Sequence, residues 1–124
     1  MAISQHRPKR KSTGGRFKKF HKKLAQLGNK PSLTKIDKKR VKSKRTRGGT
    51  EKLAQLSTNK INVIDQKSKK SQITDIISIV ENPANRHYVR RGILTKGTIV
   101  KTKIGNAKIT SRPGQEGTTN GILM

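Results

Sequence analysis

The sequence predicts a mainly β protein: a small antiparallel β-barrel-like domain preceded by a long basic N-terminal extension. Three observations lead there. Beyond Thr50, β-branched residues become frequent and turn signals recur about every eight to twelve residues, the spacing of short strands in a sandwich or barrel. The first fifty residues carry eighteen Lys or Arg and a single acid, Asp37. Only 28% of the 124 residues are hydrophobic, against about 45–50% in an average globular chain. The remaining residues hold thirteen basic side chains and five acids, so the net charge of +25 is concentrated at the N-terminal end.

The division expected is 1–49 for the extension and 50–124 for the β domain. A segment this basic repels itself and has little to bury, so it is expected to be disordered when free. Pro8, Ser12, Thr13, Gly14 and Gly15 punctuate its start,. A short helix is expected near 16–27, where Phe17, Phe20, Leu24 and Leu27 recur at helical spacing,. Gly28 and Asn29 then supply a C-cap signal and Pro31 stops continuation,. Such a helix is marginal alone and would form on binding. A basic amphipathic helix also suits a lipid surface, but the surrounding residues are basic without being amphipathic. Gly48-Gly49 reads as a hinge or tight turn between extension and domain,.

Within the domain, residues 52–56 and 60–64 are expected as one long interrupted strand, and the polar stretch 65–70 as a turn. Residues 71–80 form a second strand. Its Ile76-Ile77 doublet breaks the alternation and predicts a bulge or burial on both faces,. Asn82-Pro83 ends it. Residues 98–103 and 107–111 flank Gly105-Asn106, which fits a two-residue hairpin turn,. Pro113-Gly114 marks another turn, and 118–124 is a final strand. Pairing of this kind closes readily into a small barrel.

A polyanion is the partner this charge needs, and nucleic acid is the obvious one, because each phosphate neutralised releases condensed counterions. Localisation signals are much shorter than this basic stretch. In the extension the candidate RNA-binding residues are Arg7, Lys9, Arg10, Lys11, Arg16, Lys18, Lys19, Lys22, Lys23, Lys38, Lys39, Arg40, Lys42, Lys44, Arg45 and Arg47. The densest polar cluster of the domain is Asn82-Pro83-Ala84-Asn85-Arg86-His87-Tyr88-Val89-Arg90-Arg91-Gly92. Arg offers a fork to phosphate, Asn reads base edges, and His or Tyr stacks on splayed RNA bases. Asn85, Arg86, His87, Arg90 and Arg91 are therefore candidates, with Lys96 and Arg112 beside them. Tyr88 and Val89 are expected to pack.

Other chemistries fit poorly. The stretch Gly92-Ile93-Leu94-Thr95-Lys96-Gly97-Thr98 has the wrong order for a phosphate-binding loop, since its Lys precedes the second glycine,. His6 and His21 lie in the extension, where nothing fixes a general base. A Ser78, His87 and Asp75 assembly rests on residue types that co-occur by chance,. Three scattered histidines make no metal site. There is no cysteine, which excludes disulfides, cysteine-ligated zinc and cysteine nucleophiles,. No catalytic residue, cofactor, metal or small-molecule substrate is expected. The start lacks a signal-peptide stretch, and the longest aliphatic cluster, residues 76–80, is too short to span a bilayer,. A cytoplasmic protein with no membrane partner and no homo-oligomer is the expectation.

One stretch is specific enough to carry a resemblance. Val80-Glu81-Asn82-Pro83-Ala84-Asn85-Arg86-His87-Tyr88-Val89-Arg90-Arg91 occurs with Thr95-Lys96-Gly97, Thr110-Ser111-Arg112-Pro113-Gly114-Gln115 and Arg45-Thr46-Arg47-Gly48-Gly49. Together with the opening Met1-Ala2-Ile3-Ser4-Gln5 and Leu27-Gly28, they closely resemble the archaeal form of the e-type small-subunit ribosomal protein eight, over essentially the whole chain. The resemblance implies a β-barrel-like domain with a basic extension threading into ribosomal RNA. It also implies neighbouring ribosomal proteins as partners and a role in assembling and stabilising the small subunit. One departure is an extension richer in Lys than in Arg, which weakens the case for bidentate contacts at single positions there. Two rival functions stand beside it. A ribosome-biogenesis factor sharing this domain would be about twice as long. A DNA-compacting protein would show a dimer interface.

Overall fold

The computed structural model describes residues 10–17 and 28–124. It divides into two compact units, Met1–Pro31 and Ser32–Met124. The expected helix near 16–27 lies almost wholly outside the described residues.

In the first unit, residues 10–16 close a tight turn. Arg10 and Arg16 form an antiparallel bridge. The Lys11 N–H donates to Gly15 O at 2.8 Å, and the Arg10 guanidinium donates to Gly14 O at 2.9 Å. The Lys11 ammonium stands 5.8 Å from the centroid of the Phe17 ring, a cation–π distance.

The second unit is built of strands. The barrel is formed by β4 (Lys60–Ile64), β5 (Ser71–Glu81), β7 (Ile99–Thr102), β8 (Asn106–Ile109) and β9 (Asn120–Leu123), closed in the order β4-β5-β7-β8-β9. Alternation explains it. In β4, Ile61 and Val63 are buried while Lys60, Asn62 and Ile64 are exposed. Val100, Ala107 and Ile109 point inward in the same way. The mainly β barrel is the predicted class, with one refinement: β9 closes it by pairing parallel to β4. At that seam a Cβ on Gly121 would lie 2.9 Å from both Ile61 Cδ1 and Lys108 O, so only glycine lets the strands meet.

Bulges shape β5. Its register against β7 skips once between Ile76 and Ser78 and again between Ile79 and Glu81. The first skip is the bulge expected at the Ile76-Ile77 doublet. The two extra residues, Ile77 and Val80, are 56% and 51% exposed.

A second sheet has the order β2-β3-β1-β6, from β1 (Thr34–Ile36), β2 (Arg40–Arg45), β3 (Glu51–Thr58) and β6 (Ile93–Leu94). The expected boundary at 49/50 therefore falls inside the turn of the β2–β3 hairpin, and the compact unit begins at Ser32. The reason lies in a few well-placed residues. Ile36 of β1 packs against the core cluster that contains Leu94, Ile61, Val100 and Ile109. Buried Thr34 donates its hydroxyl to Gln55 O at 2.7 Å, and Gln55 Oε1 accepts from the Thr119 hydroxyl at 2.7 Å. Full burial of an aliphatic side chain is worth about 1.5–3 kcal/mol, and the partly buried Ile36 gains a share of it for β1.

Four local readings change. Residues 52–56 and 60–64, expected as one interrupted strand, belong to β3 and β4, which lie in different sheets. Residues 86–90, expected as loop, form a helical turn, α1 (Arg86–Arg90). Pro113–Glu116 is likewise one helical turn, α2, with Pro at its first position, where the missing N–H costs nothing. The β7–β8 turn runs one step earlier than predicted: Lys101 pairs with Asn106, and the Thr102 N–H donates to Gly105 O at 2.9 Å.

Candidate nucleic-acid interface

The α1 cluster is held from below by one buried amide. Asn82 is 4% exposed. Its Nδ2 donates to Ile93 O at 3.1 Å, and its Oδ1 accepts from the Ala84 N–H and the Thr95 hydroxyl, both at 3.0 Å. These bonds tie the end of β5 to β6 and to the turn that follows it. Asn85 then caps α1 by accepting from the His87 N–H at 2.9 Å, the usual N-cap bond. Tyr88 and Val89 are half-buried, whereas Arg86, His87, Arg90 and Arg91 are exposed. Lys96 joins them because its turn abuts the same loop: a Cβ on Gly97 would lie 3.5 Å from Pro83 Cγ. The Ile36 N–H donates to Gly92 O at 3.1 Å, which starts the exposed Lys38 and Lys39 from beside the end of α1. Ser57 Oγ fixes that turn by donating to Lys38 O at 2.6 Å.

Arg40, Lys42, Lys44 and Arg45 are exposed along β2, an edge strand, and Arg47 lies in the turn after it. The turn is clipped by Thr46, whose N–H and hydroxyl both donate to Thr50 O, at 2.7 and 2.8 Å. Arg112 stands apart from α1, at the N-cap of α2, with its guanidinium 3.4 Å from Gln115 Oε1. Arg10, Lys11 and Arg16 belong to the first unit's turn. Arg7, Lys9, Lys18, Lys19, Lys22 and Lys23 lie outside the described residues.

Lys52 was missed by sequence reasoning, yet it stands on the hairpin among the basic residues of β2. The signal was there: basic residues at 40, 42 and 44 alternate with period two before a Gly-Gly turn,.

Among the described residues the one ion pair is Lys103–Asp75 at 2.6 Å, so the cations of α1, β2 and the Lys96 turn have no carboxylate within ion-pair distance. Lys103 bonds and neutralises Asp75, holding its carboxyl below the ordinary range. The Lys67 N–H, followed by the Ser68 hydroxyl, does the same for Asp65. A group poised as a general acid at neutral pH would be shifted the other way. No group of three or more His, Cys, Asp or Glu able to hold a metal occurs among the described residues. No described helix is long and apolar enough to cross a membrane.

Fold and site together define a small, strongly basic β-barrel protein whose exposed charge is presented on a short helix, a turn and a two-stranded ribbon. Residues 4–124 match the family model described as ribosomal protein S8e. The chain is 51% identical to the small ribosomal subunit protein eS8 of Methanobrevibacter smithii over 125 residues, covering all of both chains. It is 45% identical to that of Sulfolobus acidocaldarius, covering all of this chain and 98% of the relative. It is 39% identical to that of Picrophilus torridus, again over the full length of both. The chain belongs to the ribosomal protein S8e family, a family of ribosomal structural proteins rather than enzymes.

Proposed function

We propose that this chain is a structural constituent of the small ribosomal subunit in the cytoplasm, where it binds and stabilises small-subunit ribosomal RNA through its basic N-terminal extension and the α1 loop. Neighbouring ribosomal proteins complete its surroundings. The observation that carries the reading is the α1 cluster. Asn85, Arg86, His87, Arg90 and Arg91 are all exposed on a turn that buried Asn82 fixes, and none of them meets a carboxylate within the described fold. Binding groups on a loop held by a rigid scaffold are a common arrangement. Relatives named as small ribosomal subunit proteins support the same reading.

The test replaces Arg86, Arg90 and Arg91 together by Ala. These side chains are exposed, so the melt stays cooperative near the wild-type temperature. Binding to small-subunit ribosomal RNA weakens, with each charged hydrogen bond lost costing about 1.5–3 kcal/mol. In the wild type, use of six to ten phosphates would lower affinity roughly 10³- to 10⁵-fold between about 50 and 200 mM salt. Wild-type affinity in the triple variant would reduce the cluster to a structural feature.

A further inference from the structure

The β2–β3 hairpin is a two-faced ribbon. On one face Arg45 stands opposite Glu51, and Glu51 accepts from the Ser43 hydroxyl at 2.6 Å. Leu53 and buried Gln55 share that face with them, and α2 closes on it where a Cβ on Gly117 would lie 2.7 Å from Leu53 Cβ. Charge on this side is balanced within the fold.

The other face has no such balance. Lys42 stands opposite Ala54, and Lys44 stands directly opposite Lys52. Like charges facing each other across a strand pair are destabilising. All three lysines are exposed, and no acid shares their face. The repulsion is unrelieved within the described residues, where Lys103–Asp75 is the one ion pair.

We propose that this lysine face is a binding site for the phosphate rows of double-helical RNA, a proposal that rests on the RNA-binding reading above. Three features select a duplex over a single strand. The lysines form a fixed grid, about 4.8 Å across the strands and about 6.8 Å along one strand, and a regular double helix presents a regular array of charge. The ribbon and its turn, residues 40–58, hold no aromatic side chain, and sequence-tolerant binding of single strands relies on bases stacking on aromatic rings. Lysine supplies a point charge without the fork that reads base edges, which suits backbone contact independent of sequence. The ribbon also needs little ordering on binding, because Thr46 and Thr50 already clip its turn.

The test uses the full-length chain and two probes of equal phosphate number: a short self-complementary RNA duplex and an unstructured oligouridylate. Two variants remove the same charge. One is Lys42→Ser, Lys44→Ser, Lys52→Ser on the ribbon. The other is Lys67→Ser, Lys69→Ser, Lys70→Ser in the β4–β5 turn. The ribbon variant is expected to lose at least tenfold more duplex affinity than the turn variant. Its duplex salt slope should fall by roughly 2 to 3, from about 0.9 per phosphate contact. On oligouridylate the two variants should match. The ribbon variant should also melt above wild type, since Lys44 no longer opposes Lys52, which separates loss of binding from loss of fold. Equal losses from the two variants, or an equal ribbon loss on both probes, would overturn the proposal. A wild-type chain that binds neither probe would instead sink the RNA-binding reading on which it rests.

Discussion

Lys44 and Lys52 face each other across the β2–β3 ladder, and one residue further toward the turn Arg45 faces Glu51. The two pairs lie on opposite faces of the same ribbon, because side chains alternate along a strand. One pair attracts and the other repels.

Lys52→Glu turns the repelling pair into an attracting one. The expected result is a stabilisation of about 0.2–1 kcal/mol, read as a higher Tm. RNA affinity should fall in the same variant. A lower Tm would show that the two ammonium groups do not sense each other in the fold.

Asn82→Ala removes three hydrogen bonds from a site that is 4% exposed. Ile93 O loses its side-chain donor in the buried environment, at a cost of about 1–3 kcal/mol. Loss of stability should be accompanied by faster hydrogen exchange at the Ala84 amide, which Asn82 holds. Unchanged exchange there would separate Asn82 from the positioning of α1.

Gly117 ends α2 with φ of +70° and lies against Leu53 of β3. A Cβ would be strained by the left-handed backbone, at about 1–2 kcal/mol, and would meet Leu53 Cβ at 2.7 Å. Gly117→Ala should therefore lower the urea midpoint by more than the strain alone implies. Pairing it with Leu53→Ala should recover little of the loss, because alanine keeps the Cβ that the new methyl would meet at 2.7 Å.

Acid should weaken the fold through Asp65 and Asp75. Both carboxyls are held below their ordinary value of 3.8 in the folded state, Asp65 first by the Lys67 N–H and Asp75 first by the Lys103 hydrogen bond. Folding thus favours the charged forms. Their stabilisation is fully present above 3.8 and is lost as pH falls through the lower folded values. Both groups are solvent-exposed, so the effect is small. Asp65→Asn with Asp75→Asn should flatten the dependence of Tm on pH in that acidic window and leave it unchanged above pH 5.

Much of the barrel was legible because its strands are locally patterned. Ile61 and Val63 alternate with polar neighbours, and Asp65 with its turn residues separates β4 from β5. The bulge at Ile77 was visible as a break in alternation. The ribbon was not read, because five basic residues within 40–47 suggested self-repulsion and outweighed their own period-two spacing. Its order comes from distant anchors such as Ile36 in the core cluster and Thr34 on Gln55 O. Likewise α1 has only five residues, too few to show a helical period, and Asn82 positions it through partners on β6 and the next turn. The parallel seam of β4 with β9 joins residues far apart in sequence, which local pattern does not reveal. Of the candidate site, the residue types were legible in the sequence, while their grouping on α1, the Lys96 turn and a two-faced ribbon required the fold.

The central claim is that α1 and the basic ribbon face ribosomal RNA. Ultraviolet cross-linking of intact small subunits, followed by mass spectrometry of the RNA-linked peptides, tests it most directly. The account predicts RNA adducts on peptides spanning residues 40–52 and 85–96, and none on the outer residues of β5, which contains no Lys or Arg and exposes Ile73, Ile77 and Val80. Adducts on β5 with none on either basic segment would contradict it.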